Sequence, residues 1–164
     1  MTILAYLREL SAALPPGKQH RIVMVGGAFL ALHSLRGATR DVDSITRLDA
    51  DLRASAAEVA ARHDLEPHWL NDNAAMFAPQ GLHEDMCSPL IDSPRLLVLE
   101  PPARYVFAMK LFSMRAADTA DLLPLWPLTG FEAAEEAVAF MEGCYPHQEP
   151  DPHLADYLRT HVVR

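Results

Sequence analysis

The chain has 164 residues, half of them apolar, and a formal net charge of −8. That is one domain's worth of sequence, able to bury a full core without disulfide or metal staples. The acidic balance argues against nucleic-acid binding through the global field. Only a local patch remains for that, with Arg36, Arg40 and Arg47 as its candidates and solvated surface arginines as their plainer reading. In chain order, Ile3, Leu4, Leu7, Leu10 and Leu14 fall at helical spacing, so a first helix ends before Pro15-Pro16-Gly17. Arg21–Val25 is a short apolar run closed by two glycines, which predicts a buried strand and a turn. Ala28–Leu35 predicts a helix stopped at Gly37. Thr39–Thr46 alternates and predicts a second strand. Asp49–His63 is Ala-rich and helical.

Trp69–Phe77 predicts a shorter helix before Pro79. The stretch from Pro79 to Pro94 is rich in breakers and gives no clear element. Arg95–Leu99 predicts a strand, and Pro101-Pro102 opens the next helix because proline suits a first turn. Ala103–Arg115 carries that helix, Ala117–Leu125 starts another, and Phe131–Met141 and His153–Val163 supply two more. Only Pro146–Pro152 resembles a linker. The order predicts an α/β (α+β) chain: a small mixed sheet with helices packed on it and a helical C-terminal half. It is read as a single domain over 1–164, with a core at about 18–125 and a helical extension at about 126–164.

The two cysteines, Cys87 and Cys144, are far apart and read as free thiols of a reducing compartment. The N-terminus carries Arg8 and Glu9 in an amphipathic pattern rather than a secretory leader. No apolar run approaches the roughly 18–20 residues needed to cross a bilayer. The expectation is a cytoplasmic protein with no membrane partner.

Gly26-Gly27 at the end of a strand lets backbone approach a ligand closely. A helix beginning there would turn free N–H groups toward the same point, which favours a phosphate chain. Asp41 and Asp43 stand two apart on the next predicted strand and would share a side. Paired carboxylates beside a phosphate-type turn suit Mg²⁺. Taken singly, these residues read as a tight turn and a solvated edge; their order and spacing make the combination informative. Lys110 lies in an apolar stretch and either snorkels to the surface or points into a site. Asp118 and Asp121 share a helical face, as candidates for that site or as surface charge. None of the eight histidines falls in a His-Glu-x-x-His or beside a Cys-x-x-Cys, which argues against zinc. His33 reads as a packing residue.

The segment GGAFLALHSLRGATRDVD (Gly26–Asp43) resembles the Gly-Gly…Asp-x-Asp signature of the nucleotidyltransferase superfamily, particularly its minimal and abortive-infection toxin branches. AMKLFSMRAADTADL (Ala108–Leu122) is similar to the lysine helix and the Arg-Asp-x-x-Asp-Leu helix of those toxins. WLND (Trp69–Asp72) looks like a feature of a bacterial subfamily of the same group. The resemblance spans about Arg21 to Leu125 and implies transfer of a nucleoside monophosphate from an NTP. It implies that Gly26 and Gly27 hold the β/γ-phosphates, that Arg40 and Lys110 contact the nucleotide, and that Asp41 and Asp43 bind Mg²⁺ or Mn²⁺. Asp118 would act on the acceptor or order the site, with Asp72 and Asp121 as weaker candidates.

Two departures stand out. The strand Arg95–Leu99 lacks the third carboxylate of many active members, with Glu100 only following it. Ala117 stands where the toxins carry arginine. Two expectations follow. One is an Mg²⁺-dependent nucleotidyltransferase, plausibly the toxin of a toxin–antitoxin pair, whose acceptor is an RNA such as tRNA, a protein hydroxyl or a small molecule. The other is the same fold with a decayed site, acting through a partner protein.

Overall fold

The computed structural model describes residues 1–164, apart from the side chains of Ala116 and Ala117. The fold is α/β, with a five-stranded mixed sheet in the N-terminal half and a helical C-terminal half. It falls into two compact units, 1–77 with 84–101, and 78–83 with 102–164.

In the first unit, α1 (Ile3–Ala13) is capped by Thr2, whose hydroxyl accepts from the Ala5 amide, and buries Ile3, Tyr6, Leu7 and Leu10. β1 (His20–Val25) is the central strand, and every residue of it but Arg21 is buried. A strand covered on both faces needs such a continuous apolar run. α2 (Gly26–Leu32) follows at once, then β2 (Val42–Ser44) and α3 (Ala50–His63). The sheet is completed by β3 (Leu70–Asn71), β4 (Ser88–Asp92) and β5 (Leu96–Glu100), in the order β3-β2-β1-β5-β4. β1 runs parallel to β5 and antiparallel to β2, while β2 runs parallel to β3. Leu7, Leu10, Ile22, Met24, Val59, Trp69, Leu96 and Val98 form the centre of this core.

Three elements differ from the expectation. The predicted strand Thr39–Thr46 is ordered as β only at Val42–Ser44, so Asp41 precedes it. The predicted helix over Trp69–Phe77 is instead β3 followed by a 3₁₀ turn at Asn73–Phe77. The exposed edge of β2 takes up the backbone of Leu70 and Asn71, while the buried Trp69 indole donates to the Ala56 carbonyl of α3 at 2.9 Å. Those tertiary partners override a local preference of a few tenths of a kcal/mol per residue. The unassigned breaker-rich stretch holds β4, which pairs antiparallel with β5 through an irregular register at Pro89–Ile91. Proline and a bulge are tolerated on such an edge strand.

The second unit contains α4 (Ala103–Ser113), α5 (Ala116–Thr129), α6 (Ala134–Cys144) and α7 (Leu154–His161). α5 carries Pro124 and Pro127 inside it. Its C-terminus is held by side chains. The Thr129 hydroxyl donates to the Trp126 carbonyl at 2.8 Å, and the Arg104 guanidinium donates to the Thr129 carbonyl. Gly130 closes the helix in the left-handed region, φ 74°, the usual helix stop. Phe107, Trp126 and Phe131 form the aromatic centre, with ring centroids 5.7–6.0 Å apart. No helix among the described residues is long and apolar enough to cross a membrane. Both cysteines are free, Cys144 buried and Cys87 half-buried.

Candidate functional site

Gly26 sits directly after the central strand, and the antiparallel register sets Val25 opposite Asp43. Its φ of 68° is one that L side chains rarely adopt, and a Cβ there would lie 2.5 Å from Asp43 Oδ2. The carboxylate therefore rests on bare backbone. At Gly27 a Cβ would lie 3.3 Å from Arg36 Nη1 and 3.7 Å from Thr39 Oγ1. The two glycines thus carry a carboxylate over one and a guanidinium over the other. The sequence offered Arg36 as part of a local basic patch or as a solvated surface arginine. Asp43 is half-buried, and its Oδ1 accepts from Asn71 Nδ2 at 3.0 Å. The residue in register with Asp43 on the neighbouring strand is thus an amide.

The other predicted residues of this unit make contacts of their own. Asp41 is exposed, and its amide donates to Thr39 Oγ1 at 3.3 Å. Arg40 donates to the carbonyl of Asp64, the C-cap of α3, at 3.0 Å. Asp72 is buried and braces a turn. Its Oδ2 accepts from the Leu48 amide at 2.9 Å and from Arg53 at 2.8 Å. The Leu48 hydrogen bond leads in holding its carboxyl below the usual range, against some desolvation and with help from Arg53. β5 does extend to Glu100, beyond the predicted strand end, and this carboxylate faces His33 Nε2 at 2.8 Å.

Lys110 does not snorkel. It is buried on α4, and its ammonium lies 2.9 Å from Asp118 Oδ1 and 2.8 Å from Asp121 Oδ2, both on α5. Asp118 Oδ2 also accepts from Ser113 Oγ and from Arg115 Nε, at 2.7 Å for the latter. Burial pushes the Asp118 carboxyl upward. The Ser113, Arg115 and Lys110 contacts outweigh that and hold it at about 2. The guanidinium beside Asp118 comes from Arg115, at the N-cap of α5. This buried triad fastens α4 to α5.

One group of ligand-type residues escaped the sequence reading. His20, at the start of β1, and Asp49 and Asp51, at the start of α3, bring three potential ligand atoms within 4.8 Å of one another. The group could hold a metal ion. It was invisible in the sequence because the histidine and the aspartates are separated by the whole α2–β2 passage. Only an alternation of His20 with Arg21 at the strand's start could have hinted that this histidine points inward.

Comparison of the chain with protein-family models, with characterised proteins and with solved structures finds no match. Function is therefore argued from these side chains.

Proposed function

We propose that the first unit binds a nucleoside triphosphate with a divalent cation at Gly26, Gly27 and Asp43, and that the chain is an Mg²⁺-dependent nucleotidyltransferase. The observation that carries this reading is the cradle at Gly26, where a Cβ would collide with the Asp43 carboxylate. A bare backbone turn beside a carboxylate fits a phosphate chain and the hard cation that accompanies it. Asp43, with Asp41 just ahead of β2, would hold Mg²⁺ or Mn²⁺. The cation would supply charge neutralisation at the phosphates. Arg36 would add a charge-assisted contact over Gly27. Asn71 fixes the Asp43 carboxylate through Oδ1. Positioning and electrostatics of this kind account for most phosphoryl-transfer catalysis.

A second reading, a nucleotide-binding module that acts through a partner protein, is favoured by two observations. The position beside Asp43 on β3 is the amide Asn71. The Lys110 ammonium is already neutralised by Asp118 and Asp121. The toxin role and any antitoxin, tRNA or other acceptor belong to the first reading and rest on resemblance alone.

The test is thermal unfolding with an equimolar NTP mixture and Mg²⁺, followed by transfer of α-phosphate label to cell extract. Ligand at a hundred times its dissociation constant stabilises the native state by about 2.7 kcal/mol. The expected result is a raised melting temperature that Asp41→Asn with Asp43→Asn abolishes. The same shift in the double variant places the nucleotide elsewhere and sinks both readings. A shift without label transfer favours the binding module.

A further inference from the structure

His20, Asp49 and Asp51 are arranged as a histidine–carboxylate cation centre with one cation, Lys18, already leaning on it. The His20 side chain is fully buried, and Nδ1 lies 2.9 Å from Asp49 Oδ2. Asp49 itself is the N-cap of α3, its Oδ1 accepting from the Leu52 amide. A carboxylate only accepts, so Nδ1 carries the imidazole proton toward Asp49. That leaves a lone pair on Nε2.

Nε2 is buried and has no hydrogen-bond partner. Its neighbour is Asp51 Oδ2 at 3.9 Å, beyond hydrogen-bond reach. An orphaned buried acceptor is costly in a native core, and a carboxylate cannot satisfy it by donating. A cation can. Zinc-type ions sit about 2.0–2.2 Å from imidazole nitrogen and carboxylate oxygen. Bridging Nε2 and Asp51 tetrahedrally would need the pair to close by about half an ångström. Asp51 is free to make that movement, since its side chain is 45% exposed.

We propose that His20 Nε2 and Asp51 bind a divalent transition-metal ion, that Asp49 orients the imidazole through Nδ1–H, and that Lys18 is the resident cation the metal displaces. A carboxylate behind a ligating histidine is the usual outer-shell arrangement. The imidazole selects zinc, cobalt or nickel over the magnesium proposed for Asp43, which prefers oxygen ligands. Lys18 Nζ lies 3.1 Å from Asp49 Oδ2 and 3.4 Å from Asp51 Oδ2 with more than half its side chain exposed. It can leave without exposing core. The centre is distinct from the glycine site: His20 begins β1 and Gly26 follows its end, a separation of roughly 20 Å at the rise of an extended strand. The ion would pin the start of β1 to the start of α3.

The test is titration of the full chain with Co²⁺, read by visible d–d absorption and by the ¹⁵N shift of His20 Nε2, with Zn²⁺ as competitor. Asp51→Asn, at a half-buried position in the first turn after the N-cap Asp49, is expected to weaken binding at least about tenfold. Lys18→Met is expected to tighten it about two- to fivefold, the range that release from an exposed ion pair supports. Asp43→Asn is expected to leave the Co²⁺ spectrum intact, so a failed nucleotide site and a failed metal site are told apart. Absence of a Co²⁺ band and of any Nε2 shift in both wild type and Lys18→Met would overturn the proposal. So would equal affinity of wild type and Asp51→Asn.

Discussion

Replacing Lys110 with methionine removes a charge while keeping most of the side chain's volume. At a snorkelling lysine this change is neutral or slightly stabilising. Here the ammonium lies between two carboxylates whose side chains are 5% and 11% exposed. Without it Asp118 and Asp121 share a poorly solvated pocket with no lysine between them. Removing one partner of a buried ion pair costs about 3–5 kcal/mol, because the remaining charge is left without compensation. Asp118 retains Ser113 and Arg115, which argues for the lower half of that range. A loss of about 3 kcal/mol is a large share of a typical domain stability of about 5–15 kcal/mol. The assay is native-state hydrogen exchange of α4 and α5 peptides alongside urea unfolding, because the chain forms two compact units that need not unfold together. The partner variant is Lys110→Met with Asp118→Asn and Asp121→Asn, which removes all three charges. It should recover part of the loss, giving a coupling energy of at least about 1 kcal/mol. A single Lys110→Met variant within about 0.5 kcal/mol of wild type, the range of ordinary surface changes, would refute the buried triad.

Acid provides a second check on the same residue. Asp118 is held at about 2 against an ordinary value of 3.8. A carboxyl depressed by folding stabilises the protein fully above its unfolded value, and that contribution disappears as pH falls through the folded value. The expected loss is about 2 kcal/mol between about pH 4 and pH 2, measured as the acid dependence of urea midpoints, and Asp118→Asn should flatten it. A midpoint for α4–α5 that is constant over this window would contradict the assignment. Gly26→Ala should destabilise the first unit by at least about 1 kcal/mol through its positive φ, with a further cost from the Asp43 collision. Adding Asp43→Ala should relieve the collision but not the backbone strain, so thermal unfolding of the double variant should fall between wild type and Gly26→Ala. Equal melting of Gly26→Ala and wild type would mean that the cradle is open.

Much of the architecture was legible in local pattern. The apolar run of β1, the helical spacing of α1 and the prolines ahead of α4 each dictate their element through burial or fixed φ. Gly26-Gly27 and Asp43 were identifiable as neighbours because strands that follow one another in sequence usually pair. Longer-range pairing was not legible. Leu70–Asn71 becomes a strand only because β2 offers it an edge, and Ser88–Asp92 only because β5 does, so neither carries a strand's periodicity. Lys110 has the same apolar flanks whether it snorkels or is buried, and only the placement of α5 against α4 supplies Asp118 and Asp121. His20 is one of several unremarkable histidines until α3 brings Asp49 and Asp51 to it. Periodicity reports which face of an element is buried, but the partner of a buried polar atom is set by a distant segment. The sequence by itself therefore determined the elements that carry their own burial pattern and the glycine turn, while tertiary packing decided the edge strands β3 and β4 and which charges meet.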